Sequence, residues 1–142
     1  MNLQEIMDYE KLKLQLIKHE GLRLKPYRDS VGILSIGVGR NLDDVGISED
    51  EAMVLLGNDI IGVFDDLDRE CQWWRQMSET RQLVLADMCF NLGISRLLGF
   101  KNTLAAMQEG RWDDAAKEML DSKWAKQVGK RAITLADMMK GA

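Results

Sequence analysis

The spacing of apolar residues changes sharply near residue 21, and this change limits the folds open to the chain. Residues 5–20 place apolar side chains at helical spacing, and the segment ends at Glu20 with a glycine directly after it. Residues 22–40 alternate over short spans instead, in "LRLKPYRD" and "ILSIGVG", with Pro26 and several glycines between them. This second pattern predicts a small antiparallel sheet, so the chain is not all-helical.

The rest of the chain shows helical patterns. "SEDE" at residues 48–51 is typical of a capping box, in which Ser48 caps a helix and Glu51 reaches back to it. That helix should run to about residue 68, with five apolar side chains on its inner side: Ala52, Leu55, Leu56, Ile60 and Phe64. Ser78 is expected to cap a helix that continues through Leu92. Further helices are predicted over 102–110, 112–121, 123–128 and 130–140.

These elements predict an α+β fold that is mostly helical. A small antiparallel β lobe and a larger helical lobe would be joined by a long helix, with a ligand-binding cleft between the lobes. The length of 142 residues suggests a single domain, 1–142. Its predicted parts are an N-terminal helix at 1–20, a β lobe at about 21–47, an interlobe helix at about 48–70 and a helical lobe at about 71–142.

Composition excludes several classes of protein. No apolar run approaches the ~20 residues that a membrane-spanning helix needs, and "MNLQEIMDYEKLK" lacks the apolar core of a signal peptide. We therefore expect synthesis in a cytoplasm and no stable membrane anchor. One histidine and two separated cysteines, Cys71 and Cys89, are a poor metal-ligand set, so we expect no metal and two buried thiols. There is no phosphate-binding loop and no basic stripe for nucleic acid.

Two carboxylates and a hydroxyl stand around the predicted sheet, at Glu20, Asp29 and Ser35. Hydrolysis of a glycosidic bond needs one acid to protonate the leaving oxygen and a second carboxylate to manage water or positive charge. Glu20, at the end of an amphipathic helix, is expected to be partly desolvated and suits the acid, while Asp29 lies in a polar turn. Most such pairs are surface charges, so the spacing alone does not distinguish catalysis from solvation.

The stretch "EGLRLKPYRDSVGILSIGVGR" resembles the active-site signature of the phage-type lysozymes, glycoside hydrolase family 24. That signature has E-G, then Y-x-D, then G-x-x-T-I-G-x-G-H. The likeness continues through "SEDEAMVLL", "FNLG", "GFKNTL", "GRWDDAAKEML", "SKWAKQVGKRA" and "LADMM". Several motifs in the family's order cover about residues 12–141, which makes the resemblance specific.

The resemblance implies roles for individual residues. Glu20 would be the general acid, Asp29 would hold and help activate the attacking water, and Ser35 would stand beside that water. The family inverts the sugar configuration, so water would attack the face opposite the leaving group. Four further residues are expected to bind substrate: Gly39, Phe90, Asn91 and Arg131.

Two positions depart from the family pattern. Ser35 replaces the usual threonine, which keeps the hydroxyl but loses a methyl group that stiffens χ1. Arg40 replaces the usual histidine and cannot lose its proton. The family pairs this position with an acid on the interlobe helix, and the matching residue is Asp59, so an Arg40–Asp59 ion pair is expected.

The function implied is that of a phage or prophage endolysin, a muramidase that cuts the β-1,4 bond between N-acetylmuramic acid and N-acetylglucosamine in bacterial peptidoglycan. The resemblance implies no cofactor, a monomer, and a separate holin that lets the enzyme pass from the host cytoplasm to the cell wall. Two alternatives remain open. One is a lytic transglycosylase acting on the same bond, and the other is a non-catalytic peptidoglycan-binding or scaffold module.

Overall fold

The computed structural model describes residues 1–141, and the chain divides into two compact units. The first unit is Met1–Met53 and the second begins at Val54. The boundary falls inside the helix predicted at 48–68, which the structure places at Glu49–Glu70 and which is named α2 below. Within residues 1–141, none of the helices combines the length and the apolar character that a bilayer crossing requires.

The first unit contains helix α1 (Leu3–Glu20) and a three-stranded antiparallel sheet. Asn2 and Glu5 form a capping box at the start of α1, and no residue of α1 is buried. The helix ends at Gly21, whose φ of 80° lies in the region that glycine adopts readily. The strands are β1 (Arg23–Arg28), β2 (Leu34–Gly37) and β3 (Arg40–Asn41), with β2 in the middle. The predicted small antiparallel sheet is therefore confirmed.

The second unit holds most of α2 and six further helices. They are α3 (Glu79–Leu92), α4 (Ile94–Leu98), α5 (Lys101–Gln108), α6 (Trp112–Leu120), α7 (Lys123–Val128) and α8 (Lys130–Gly141), with a 3-10 turn at Trp74–Gln76 before α3. Ser78 caps α3 by accepting a hydrogen bond from the backbone N–H of Arg81, as predicted. The sequence patterns missed α4 and the 3-10 turn, since both are shorter than the span a periodic pattern needs.

The buried core lies in the second unit. It is formed by Leu67 of α2, by Cys71, Trp74 and Met77 before α3, and by side chains from each of α3 to α8, most of them leucine, methionine and alanine. The predicted inner side of α2 is only partly covered: Leu56, Ile60 and Phe64 line a groove with residues of α3, but Leu67 is the one buried residue of the helix. Leu55 is 52% exposed, Ile60 38% and Phe64 37%. Apolar residues at helical spacing predict which face of a helix is apolar, but they do not predict how much of that face other residues bury.

A buried cation joins α3 to the end of α8. Arg81 is 9% exposed and donates through Nε to the carbonyl of Met139 at 2.7 Å and through Nη2 to that of Lys140 at 3.3 Å. Its guanidinium also lies 4.1 Å from the centre of the Trp112 ring, in cation–π geometry. Carbonyls at a helix C-terminus lack partners within the helix, so Arg81 satisfies them and complements the helix dipole.

Candidate active site

Glu20 is the last residue of α1, and its side chain reaches the turn between β2 and β3. The approach is close enough that a β-carbon on Gly39 would come within 2.8 Å of Glu20 Oε2. Glu20 is exposed, so the expectation that it would be partly desolvated was wrong for the structure as it stands. Its carboxylate accepts no hydrogen bond from residues 1–141, which leaves both oxygens free to meet a substrate.

Asp29 follows β1 in a tight turn and is half-buried. Its Oδ1 accepts two backbone hydrogen bonds, from the N–H groups of Val31 and Ile33, each at 2.9 Å. The backbone N–H of Asp29 in turn donates to the carbonyl of Ile33 at 2.9 Å. One carboxylate oxygen is thus fixed by the turn, whereas Oδ2 accepts no hydrogen bond within residues 1–141. This arrangement orients Oδ2 and leaves it available to hold a water molecule.

Arg28 also contacts the turn that carries Asp29, and the sequence patterns did not identify it. Arg28 donates from Nη1 to the carbonyl of Gly32 at 3.0 Å. Its bond spans the loop that carries Asp29 and limits how far that loop can open. This bond joins two residues four positions apart in a turn, and no helix or strand periodicity predicts such a contact.

Ser35 lies in the central strand β2, paired with Tyr27 of β1 on one side and Asn41 of β3 on the other. It is 3% exposed, and its Oγ donates to the carbonyl of Ile33 at 3.4 Å. A hydroxyl bond of that length is weak, because O–H···O bonds prefer 2.7–2.8 Å. The Ser35 hydroxyl is therefore held only loosely and can rotate towards another acceptor. Asp29 and Ser35 share Ile33 as a hydrogen-bonding neighbour, so the structure places both on the same corner of the sheet.

Arg40 pairs with Glu51 at the start of α2, and not with Asp59 as expected. Its Nη1 lies 2.9 Å from Glu51 Oε1 and also donates to the carbonyl of Gly46 at 3.0 Å. Glu51 is fixed in reach because it belongs to the predicted capping box, which the structure confirms: Oε1 accepts from the N–H of Ser48, and Ser48 Oγ accepts from the N–H of Glu51. Asp59 lies eight residues further along α2.

The Arg40–Glu51 ion pair shifts the pKa values of both side chains. The hydrogen bond from Arg40, helped by the bonds from Ser48, lowers the pKa of Glu51 to about 2. The same hydrogen bond raises the pKa of Arg40 above its ordinary value. Glu51 therefore carries its charge throughout the range in which most proteins are folded.

The other candidate residues lie in the second unit. Arg131 forms an ion pair with Asp87 of α3, with Nη2 at 2.6 Å and Nε at 2.9 Å from Oδ1. Phe90 is 46% exposed, and Phe90 and Arg131 both line a groove of about 350 Å³ that is apolar over most of its wall. Asn91 also has a structural partner, since its Oδ1 accepts from the indole N–H of the buried Trp124 at 2.8 Å.

Comparison of the sequence with known proteins identifies the family of the chain. Residues 17–138 match the family described as "Phage lysozyme", a span that contains Glu20, Asp29 and Ser35 together with most of the helices of the second unit. The chain belongs to the phage lysozyme family. The resemblance inferred from the motifs is thereby confirmed, and so is the α+β, mostly helical fold class.

The similar proteins include a lysozyme, an endolysin and a phage spike protein. The chain is 24% identical over 152 residues to the "Probable T4-type lysozyme 1" of Dictyostelium discoideum, with 85% of this chain and 88% of the relative covered. It is 28% identical over 143 residues to the "SAR-endolysin" of Escherichia phage Mu, covering 90% of this chain and 79% of that one. It is also 28% identical over 145 residues to the "Pre-baseplate central spike protein Gp5" of Enterobacteria phage T4, which covers 82% of this chain. The match spans only 25% of the spike protein's length.

Proposed function

We propose that the chain is a muramidase of a phage or prophage, an endolysin that hydrolyses the β-1,4 bond between N-acetylmuramic acid and N-acetylglucosamine in bacterial peptidoglycan. Membership of the phage lysozyme family supports a glycosidase acting on the cell wall. The relatives named as lysozymes and as an endolysin support the same class of substrate. A separate holin would release the enzyme from the host cytoplasm, and the enzyme would act as a monomer.

The observation that carries the proposal is that the two carboxylate oxygens of Asp29 differ in their contacts. Two backbone N–H groups hold one oxygen of its carboxylate, and the other oxygen is free to bind water. Such local bonds are common at turn Asp residues, but here they also fix the direction of the free oxygen, as a residue that aims a nucleophilic water requires. Ser35, on the same corner of the sheet, offers a hydroxyl that can share that water.

In the mechanism proposed, Glu20 donates a proton to the glycosidic oxygen as the bond to the sugar breaks. Asp29 Oδ2 accepts a proton from the water, and Ser35 Oγ helps to hold that water as it attacks the anomeric carbon from the opposite face. The product has inverted configuration, and Glu20 and Asp29 end with their protonation states exchanged, so one proton returns through solvent. Phe90, Asn91 and Arg131 are proposed to contact the glycan.

One alternative is a lytic transglycosylase, which needs only one acid/base carboxylate because a hydroxyl of the sugar itself attacks. The orientation of Asp29 favours hydrolysis over this reaction, because a fixed water-binding carboxylate would have no task in it. The other alternative is a module that binds peptidoglycan without cutting it. Retention of both Glu20 and Asp29 argues against that reading.

Product analysis tests the proposal. Purified protein and a Glu20→Gln variant are incubated with purified peptidoglycan, and the released fragments are analysed by mass spectrometry. We expect reducing N-acetylmuramic acid ends from the wild type alone, because glutamine cannot donate the proton. Anhydro-muramic ends would indicate the transglycosylase, and sedimentation with peptidoglycan without release of fragments would indicate the binding module.

A further inference from the structure

Gly39 lies in the β2–β3 turn with a φ of +65° and faces the side chain of Glu20. A β-carbon at this position would come within 2.8 Å of Glu20 Oε2, 3.2 Å of Cδ and 3.3 Å of Cγ. The first of these distances is shorter than real β-carbon contacts. The terminal half of Glu20 therefore occupies the space that any other residue at position 39 would fill.

A second glycine, Gly37 at the end of β2, separates this steric effect from backbone strain. Gly37 has a φ of +71°, close to that of Gly39, so both positions favour glycine on conformational grounds. A β-carbon on Gly37 would meet no atom within 4 Å, however. Only Gly39 thus combines the left-handed backbone with close approach to Glu20.

We propose that Gly39 is a positioning residue for Glu20 and not a substrate contact, which is the role that the family resemblance suggests for it. The proposal rests on the assignment of Glu20 as the general acid. Glu20 accepts no hydrogen bond from the described residues, so its carboxylate is located by packing against the turn. Filling the space at position 39 moves that carboxylate away from the turn, because the atoms that a new β-carbon would meet are the far end of an exposed, flexible side chain.

The effect on the reaction follows from the geometry of proton transfer. A general acid must lie within about 2.6–3.2 Å of the atom that it protonates. Misplacement of a catalytic group by about 1 Å can cost about a hundredfold in rate. The loss falls on kcat, since the donated proton matters in the transition state and contributes little to binding of the ground state.

The test compares Gly39→Ala with Gly37→Ala by steady-state kinetics on soluble peptidoglycan fragments. Both variants introduce the same strain at a left-handed position, so their losses of Tm should be similar. We expect kcat of Gly39→Ala to fall about a hundredfold with KM within about twofold of wild type. Gly37→Ala should keep kcat within about threefold, because no atom lies near its new methyl group.

A second pair of variants covers the case in which alanine prevents folding. Asparagine tolerates the left-handed region better than alanine, so Gly39→Asn and Gly37→Asn carry the β-carbon with less strain. A crystal structure of the folded position-39 variant should show the Glu20 carboxylate displaced while the Cα trace of the turn is retained. An undisplaced carboxylate would overturn the proposal.

The kinetic outcomes separate the remaining explanations. A higher KM with unchanged kcat would make Gly39 a substrate contact, and equal losses of kcat at positions 37 and 39 would assign the effect to backbone strain. Either result overturns the proposal. Wild-type protein that releases no fragments at all would refute the proposed function instead, and the displacement of Glu20 in the crystal structure would still decide the role of Gly39.

Discussion

Substitution of Asp29 by asparagine and by alanine separates its structural role from its proposed catalytic one. Asparagine keeps an oxygen at the position of Oδ1, which accepts from Val31 and Ile33, and replaces the free Oδ2 by an amide group. Alanine removes both functions. The two variants should therefore differ in stability and resemble each other in activity.

The expected magnitudes follow from the contacts. Asp29→Ala deprives two backbone N–H groups of their acceptor, at about 1 kcal/mol each for a typical hydrogen bond, and the exposed turn lets water recover part of this. We expect a loss of about 1–2 kcal/mol in unfolding free energy, or roughly 3–8 °C in Tm. Asp29→Asn should lose less than about 1 kcal/mol, because a neutral oxygen accepts less strongly than a carboxylate but still accepts.

Both variants should lose about 10²–10⁴ in kcat if Asp29 accepts the proton of the attacking water. Thermal unfolding followed by circular dichroism gives the stability, and release of reducing ends from peptidoglycan gives the rate. The decisive variant is Asp29→Asn, which is nearly as stable as wild type and should be nearly inactive. Wild-type kcat in that variant would refute the assignment of Asp29 to the water and favour a reaction that needs no water.

Variants at three further positions test contacts that the structure identifies. Arg81→Met should lower Tm by roughly 6–12 °C in thermal unfolding, because two helix-end carbonyls lose a charged donor worth about 2–3 kcal/mol, and Arg81→Lys should recover part of this. Asn91→Leu should cost about 1–3 kcal/mol in urea unfolding, because it leaves the buried indole N–H of Trp124 unpaired, whereas Asn91→Asp keeps an acceptor and should lose less. Glu51→Gln should be less stable than wild type at pH 7. Since Arg40 lowers the pKa of Glu51 to about 2 from about 4.5, this difference in Tm should shrink as pH falls from about 4.5 towards 2; a constant difference would exclude the charge as its source.

Features that depend on neighbouring residues were predictable from the sequence. The capping box of Ser48 and Glu51, the cap at Ser78 and the stop at Gly21 all involve groups within four positions of one another. Their chemistry is fixed by the residue types and by helix geometry. Trp74 and Trp124 lie in the buried core, where large apolar rings are usually found.

Contacts between distant segments were not predictable in this way. Arg40 had several acids within reach on the following helix, and only the folded loop at Gly46 decides that Glu51 is its partner. No local pattern marks Arg81 as buried, since its two acceptors lie 58 and 59 residues away in the chain. The approach of Glu20 to Gly39 likewise depends on how the sheet folds back towards the end of α1. Single-sequence patterns carry no information on such pairings.

The two cysteines have a practical consequence for work with this protein. Both thiols are buried and free, and burial raises their pKa values, to about 11 for Cys89. Only about one Cys89 in ten thousand is then a thiolate at pH 7, and the thiolate is the form that reacts with oxidants and alkylating agents. Purification and storage in air should need no reductant. A fluorophore or spin label attached to a new surface cysteine should report on that position alone, with both native cysteines left in place.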